Sequence, residues 1–217
     1  VVHCKAGKMA NYQAIADEEF ARLQEMINGT DSWEELERKK LPATVDSSHV
    51  CEYGGAPVKC VRAWGVVDNE PRKIMTMLWE ETKEQKMKDD DTTLDHRIVE
   101  DVKEDGTLQI IYQRYSLPWP IHNRDFCFLR GDMTADDGTI FLISISVEHP
   151  DVPEAPKCVR GNILNSAYVC KPREDGKTDF CYIVQMDPMG HIPKWLVNKN
   201  LYRVSQRVEQ VQKQYKR

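Results

Sequence analysis

The sequence predicts an α+β fold in which one long antiparallel sheet lies between an amino-terminal and a carboxy-terminal helix. Two observations come from periodicity. Apolar residues recur at helical spacing near both ends of the chain, and they alternate with polar residues through much of its middle. The third observation is that short Asp-Gly turns separate the alternating runs, which is typical of antiparallel hairpins. Such a sheet must wrap around another element to bury its apolar face.

The amino-terminal part is predicted to form one amphipathic helix followed by three strands. The helix covers residues 10–28 and ends at Asn28-Gly29, a common helix stop. Its apolar stripe comprises Tyr12, Ile15, Phe20, Leu23 and Ile27. The strands are predicted over residues 33–39, 45–53 and 58–67, the last two being joined by a Gly-Gly turn. For residues 33–39 the alternative is a helical turn.

A second helix and a longer series of strands occupy the middle of the chain. Asn69 followed by Pro71 favours a helix start, and the charge-dense residues 80–91 are interpreted as a solvated helix end and loop. From Leu94 onward the apolar residues follow a period of two, which predicts strands. The clearest alternating runs are residues 108–113, 141–147 and 180–186.

The last segment returns to helical spacing and predicts one long terminal helix. At 1.5 Å per residue, a helix of roughly 20 residues spans about 30 Å. A curved sheet that grips this helix would bury its apolar stripe and leave space beneath it. Two alternatives are an ordinary filled core and a coiled coil, the latter limited by a length of about three heptads. The stripe consists of Val197, Leu201, Val204, Val208, Val211 and Tyr215.

Composition and charge argue against several classes of protein. The 217 residues carry a net charge of −5, whereas nucleic-acid-binding domains are usually basic. Residues 194–217 nevertheless contain seven Lys or Arg and a single Glu, so the terminal helix is basic whereas the rest of the chain is acidic. No run approaches the roughly 18 apolar residues of a membrane-spanning helix. We therefore expect no nucleic-acid partner and no transmembrane segment.

The cysteine and histidine patterns indicate neither disulfides nor a metal site. The seven cysteines include no CxxC pair and the six histidines are isolated, so the cysteines are interpreted as buried, inert thiols of a reduced cytosolic protein. No GxSxG, phosphate-binding loop or dinucleotide motif is present. We therefore predict no cofactor, no metal and no enzymatic activity, and a monomeric chain.

Three motifs in order resemble the START family, the lipid-transfer domains related to steroidogenic acute regulatory protein. They are the Pro-rich turn with Arg-Asp-Phe at residues 118–126, Val-Glu-His-Pro at 147–150 followed by Val-Arg-Gly at 159–161, and the Gln-Met-Asp-Pro-Met-Gly run that begins residues 185–198. The resemblance covers residues 10–217, interpreted as a single domain. Residues 1–9 are interpreted as a terminal extension left by a precursor or by cloning, because Met9 would be a natural start.

The resemblance implies a helix-grip fold, a curved antiparallel sheet of about nine strands around a hydrophobic tunnel closed by the carboxy-terminal helix. It also implies that the protein binds one lipid, with phospholipid favoured over sterol or ceramide, and transfers it between membranes. Such a protein is expected to be cytoplasmic and to associate with membranes transiently. The alternatives are a lipid-sensing module of a longer protein and an enzyme that uses the same tunnel. Asp91 stands where the phosphatidylcholine-transfer branch has arginine, and Leu94-Asp95 replaces the family's Trp-Asp, which weakens a phosphatidylcholine assignment.

Arg130 is the most informative candidate for lipid binding, because strand alternation places it on the same face as Phe126 and Phe128. A buried guanidinium needs an acidic partner or a ligand oxygen. We hypothesise that it anchors the lipid head group, with Asp95 as counter-ion and Tyr112 nearby; alternatively, it reaches solvent from the strand end. The predicted lipid-binding residues are Arg130, Asp95, Tyr112, Phe128, Val197, Leu201, Val204 and Val208.

The loop before the strand of Arg130 is a candidate membrane-docking segment. Tryptophan favours the water–lipid interface, and the resemblance places this loop beside the tunnel mouth. We hypothesise that Trp119 enters the membrane while the basic terminal helix faces anionic lipid. The alternative is that Trp119 packs against the sheet. The predicted docking residues are Leu117, Trp119, Ile121, Lys199 and Arg203.

Overall fold

Four helices and ten strands form the part of the chain that the computed structural model describes, residues 11–29, 33–192 and 194–215, with residues 194–200 described by their backbone alone. The helices are α1 (Tyr12–Asn28), α2 (Pro71–Trp79), α3 (Lys83–Asp89) and α4 (Lys194–Gln214). The strands are β1 (Glu34–Glu35), β2 (Ser47–Cys51), β3 (Cys60–Val67), β4 (Thr93–Asp101), β5 (Leu108–Tyr115), β6 (Asn123–Thr134), β7 (Ile140–Ser146), β8 (Cys158–Arg160), β9 (Asn162–Pro172) and β10 (Thr178–Asp187). A 3₁₀ turn covers Arg38–Lys40.

All ten strands belong to one curved sheet in the order β1-β2-β3-β10-β9-β7-β6-β5-β4, with β8 paired to β6. Every neighbouring pair is antiparallel except β6 and β8, which run parallel. Because β3 pairs with β10, strands from the first and last parts of the chain lie next to each other within the sheet. The prediction of a mainly antiparallel sheet of about nine strands beside a long terminal helix is confirmed.

Each face of the sheet packs against a different helix, and strand alternation decides which residues go to which face. The outer face is covered by α1, whose Ala16 and Leu23 pack with Leu129 and Val169. The inner face is covered by α4, whose buried valines pack with β3 and β10. These inner-face contacts involve Val204, Val208, Val211, Ala63, Val67 and Phe180.

Two local predictions differ from the structure. Within the charged residues 80–91, Lys83–Asp89 form a separate helix, α3, because Thr82 and Gln85 make a reciprocal capping box at its start. Residues 33–39 form only the two-residue β1 before the 3₁₀ turn begins. The predicted start of α2 at Pro71 is confirmed. Within the described residues, no helix combines the length and the apolar character needed to cross a bilayer.

Candidate functional site

Arg130 lies in the middle of the inner face and is only 5% exposed. One terminal nitrogen donates to the carbonyl oxygen of Trp79 at 3.1 Å and to Oε1 of Gln109 at 2.7 Å. The guanidinium also lies over the ring of Trp79, 4.4 Å from its centroid. The Nε atom has no hydrogen-bond partner among the described residues. The alternative that Arg130 reaches solvent is therefore wrong.

No carboxylate of the described residues forms an ion pair with Arg130; its hydrogen bonds go to uncharged oxygens. Burial lowers the pKa of Arg130 to about 10, although the more distant carboxylate of Glu81 opposes this. Even at that pKa the group is charged at neutral pH. Burying a charge without a counter-ion is costly, so this position is suited to an oxygen-rich ligand.

The predicted companions of Arg130 lie elsewhere. Asp95 was expected as its counter-ion, but Oδ1 of Asp95 accepts from Nζ of Lys83 at 2.9 Å. Tyr112 points to the outer face, where it packs with Cys127 and Leu129. The reason is register: Arg130 lies opposite Gln109 on β5, so the odd-numbered residues of that strand share its face. Both positional predictions are wrong.

Several polar residues near Arg130 were missed from the sequence. Nε2 of Gln113 lies 2.9 Å from Nδ1 of His96, and the hydroxyl of Tyr115 donates to Oε1 of Gln113 at 2.7 Å. Burial lowers the pKa of His96 to about 4, helped by the positive charges of Lys86 and Arg130, so the imidazole is neutral at pH 7. Two glutamines four residues apart, on the same face of a largely apolar strand, were the signal that could have found these residues.

A second buried polar cluster joins α3 to α4. The Glu81 carboxylate accepts from Arg207 at 2.7 Å and from Lys86 at 2.5 Å, with its side chain 3% exposed. Arg207 also donates to Asp89 at 3.1 Å and to the hydroxyl of Tyr168 at 3.1 Å. Burial alone raises the pKa of Glu81, but the two cations outweigh it and hold that pKa below its ordinary value. We call these residues the α3–α4 charge cluster.

The predicted tunnel-lining residues divide into three groups. Phe128 is buried on the inner face with Ile111 and Phe126. Val204 and Val208 are buried in the core against β3, and Leu201 is half-buried at its edge. The side chain of Val197, like that of the docking candidate Lys199, lies outside the described residues. Beneath the second half of α4 the inner face is therefore filled by side chains.

Two cavities lie away from this stripe. One of about 230 Å³ is bounded by α2, α3 and the end of α4. The other, of about 380 Å³, lies where β6 changes partner from β7 to β8. Neither is lined by Leu201, Val204 or Val208. The lipid-sized tunnel beneath α4 thus stays a prediction.

The predicted docking loop is exposed at its tip. Trp119 is 92% exposed, so the alternative that it packs against the sheet is wrong. Leu117 and Ile121 are half-buried. Arg124, which is buried, donates to the carbonyl oxygens of His122 at 2.6 Å and Met189 at 2.9 Å. This arginine fixes the Trp119 loop beside the loop that leads into α4, where Met189 is 45% exposed.

The basic residues of α4 are less available than predicted. Arg203 donates to Oδ2 of Asp90 at 3.2 Å, and Lys213 pairs with Glu209 at 2.9 Å. Arg207 belongs to the α3–α4 charge cluster. The docking role of Lys199 and Arg203 stays a prediction, whereas Arg207 is largely buried and does not face a membrane surface.

Comparisons with known proteins agree on one family and one fold. The family model described as the START domain matches residues 14–211. Rho GTPase-activating protein 7 of Rattus norvegicus is 30% identical over 184 residues, which is 84% of this chain and 16% of that protein. START domain-containing protein 10 of Homo sapiens is 33% identical over 91 residues, covering 41% of this chain and 30% of that protein. The chain thus spans less than a third of these curated relatives.

Two solved structures show the same fold at low sequence identity. Human StAR-related lipid transfer protein 5 superposes with a TM-score of 0.77 at 21% identity, covering 94% of this chain and 97% of that one. The lipid transfer and protein localization domain of human StarD13 (DLC2) superposes with a TM-score of 0.71 at 20% identity, covering 96% and 99%. The helix-grip arrangement predicted from the motifs is confirmed.

Proposed function

We propose that this chain, which belongs to the START domain family, binds one lipid molecule between the inner face of its sheet and α4. We also propose that it carries that lipid between membranes. The family is one of lipid-binding and lipid-transfer domains, and we propose that the chain is a carrier and not an enzyme. Residues 10–217 act as a single lipid-binding domain in this proposal. We place the protein in the cytoplasm as a monomer that contacts membranes transiently.

The observation that carries the proposal is the buried charge of Arg130 without a counter-ion. A phosphate or hydroxyl oxygen of a lipid head group would satisfy its free Nε and offset the desolvation of the guanidinium. The neighbouring His96, Gln109 and Gln113 add donors and acceptors to the same face. A phospholipid fits this set better than a sterol, whose single hydroxyl offers fewer acceptors.

The apolar part of the proposal follows from the free energy of hydration. Two acyl chains of about 15 carbons each represent on the order of 20 kcal/mol in water, so a free phospholipid rarely leaves its membrane. The inner face offers apolar side chains such as Phe126, Phe128 and Val204. Because Val204 and Val208 already pack against β3, the acyl chains can enter only if α4 moves away from the sheet along this stripe.

The proposal is tested by identifying the bound lipid and measuring transfer. Native mass spectrometry of the purified chain should show one added mass in the range of a lipid, and extraction should identify it. The protein should then accelerate movement of that lipid from labelled donor vesicles to unlabelled acceptors. A protein that carries no lipid and leaves the spontaneous transfer rate unchanged would overturn the proposal.

Replacing Arg130 with Met is expected to weaken lipid binding by about 10- to 100-fold, the range for losing a hydrogen-bonded charge. Lipid transfer should fall accordingly in the vesicle assay. Arg97→Met is the matched control, because Arg97 is exposed and stacks on Tyr112, on the outer face. Equal lipid occupancy in the two variants would contradict the anchoring role of Arg130.

Replacing Trp119 with Ala is expected to weaken binding to vesicles by about tenfold or more, because a large side chain that could be buried in lipid is lost. The measurement is co-sedimentation with vesicles of phosphatidylcholine and phosphatidylserine. Ile98→Ala is the control, since Ile98 is 50% exposed on the edge strand β4. If both variants sediment like the unchanged protein, the Trp119 loop is not the docking segment.

A second candidate function is a lipid-sensing module within a longer protein. It is favoured by the match to Rho GTPase-activating protein 7, of which this chain covers only 16%. In that case the domain would bind lipid as described above but would not accelerate its transfer. The vesicle assay therefore distinguishes the two candidates once the bound lipid is known.

A further inference from the structure

Two cysteines face each other across the β2–β3 pair, away from the proposed lipid site. Cys51 is the last residue of β2 and Cys60 the first of β3, and the two lie directly opposite. They are 4% and 0% exposed and belong to the core on the outer face. Cys181 of β10 belongs to the same core.

The geometry of this pair is suited to a disulfide. Directly opposite residues of antiparallel strands have Cα atoms about 4.5–5.5 Å apart, within the span of about 4.4–6.8 Å that a disulfide bridges. The neighbouring Cys60 thiol lowers the pKa of Cys51, and the positive charge of Arg62 acts in the same direction against the opposing effect of burial, so Cys51 is the better nucleophile.

The connection between the two cysteines holds them in register. The loop of residues 52–59 is fixed at its base by Gln185 of β10, whose Nε2 donates to the carbonyl oxygens of Tyr53 at 3.0 Å and Val58 at 3.1 Å. Its tip is open, since no atom lies within 4 Å of a side-chain carbon added at Gly54 or Gly55. Cys51, the last residue of β2, lies at the start of this loop.

We propose that Cys51 and Cys60 form a reversible redox-modification site that closes this loop with a disulfide. The Cys51 thiolate attacks hydrogen peroxide and forms a sulfenic acid, with release of one water after proton uptake. The Cys60 sulfur then attacks the sulfenic sulfur, forming the S–S bond and releasing a second water. Two thiols are thereby oxidised and one peroxide is reduced; a dithiol reductant reverses the change.

The expected consequence is a more stable sheet edge beside the loop. The disulfide closes a short loop and should raise the melting temperature by about 5 °C relative to the reduced protein. This inference does not depend on the proposed lipid function, because neither cysteine faces the inner side of the sheet. Failure of one proposal therefore leaves the other unaffected.

The test is oxidation of the intact folded chain with a few equivalents of hydrogen peroxide, followed by thiol alkylation and non-reducing peptide mapping. The expected product is a Cys51–Cys60 link that dithiothreitol removes. The link should persist in Cys158→Ser, which removes a half-buried thiol elsewhere in the fold, and disappear in Cys51→Ser. A link that instead joins either cysteine to Cys4 or Cys181 would overturn the proposal. So would a folded protein in which both thiols stay reduced under conditions that oxidise the urea-unfolded chain.

Discussion

Replacing Arg207 with Met is expected to destabilise the fold by about 3–5 kcal/mol, since removing one partner of a buried ion pair leaves the other charge uncompensated. The affected charge is Glu81, whose side chain is 3% exposed and keeps one ion-pair partner among the described residues, Lys86, after the change. The substitution also removes the donors to Asp89 and Tyr168. The free energy of unfolding in urea is the measurement.

The matched control for Arg207 is Arg203, one turn earlier on the same helix. Its pair with Asp90 is more than a third exposed on both sides, so Arg203→Met should cost less than about 1 kcal/mol. Adding Glu81→Met to the Arg207→Met chain should recover much of the lost stability, because no unpaired buried carboxylate then remains. Equal effects of the two arginine variants would show that the α3–α4 charge cluster does not hold α4 in place.

The sequence predicted the elements whose signals are local. The alternation over residues 108–113 and the helical stripe from Leu201 to Tyr215 depend on neighbours a few residues apart, and the structure contains both. The capping box of α3 is equally local, with Thr82 and Gln85 in the right positions, but the surrounding charge masked it.

The partners within the site could not be predicted, because they depend on register between strands. Alternation correctly placed Arg130 on an inward face, yet which residue of β5 lies opposite is set by the length of the intervening turn. The register of β4 shifts twice, near Asp95 and near Ile98, so counting residues from the sequence fails there. The partner of Asp95, which is Lys83 of α3, is therefore known only from the folded chain.

The residues that join distant segments gave no sequence signal. Glu81 lies in the charge-dense residues 80–91, a pattern typical of a solvated segment, and its partner Arg207 is 126 residues away in the sequence. Arg124 contacts carbonyl oxygens of Pro188 and Met189, and backbone acceptors have no signature in side-chain identity. Only the folded chain brings these groups together, which is why neither buried arginine was among the predicted site residues.

Glu19 provides the other large expected effect, on the dependence of stability on pH. Its side chain is fully buried between α1 and the sheet, although it accepts from Arg22 at 2.9 Å. Burial raises the pKa of this carboxyl to about 8, and the opposing effect of Arg22 is smaller. Arg22 is 32% exposed and is also bound to Glu18, so it only partly offsets the burial.

The sign of the Glu19 effect follows from proton binding. Between the ordinary pKa of about 4.5 and the folded value of about 8, the folded chain binds this proton more tightly than the unfolded chain. Its contribution to stability is therefore complete below pH 4.5 and is lost as the pH rises toward 8, by on the order of 4 kcal/mol. Glu19→Gln should remove this loss, so the variant gains stability over the unchanged protein between pH 6 and 8.5. Glu18→Gln, at a side chain 75% exposed, should leave the pH profile unchanged. If the Glu19→Gln and unchanged proteins lose stability in parallel over that range, the Glu19 carboxylate is ionised in the fold and Arg22 stabilises its charge.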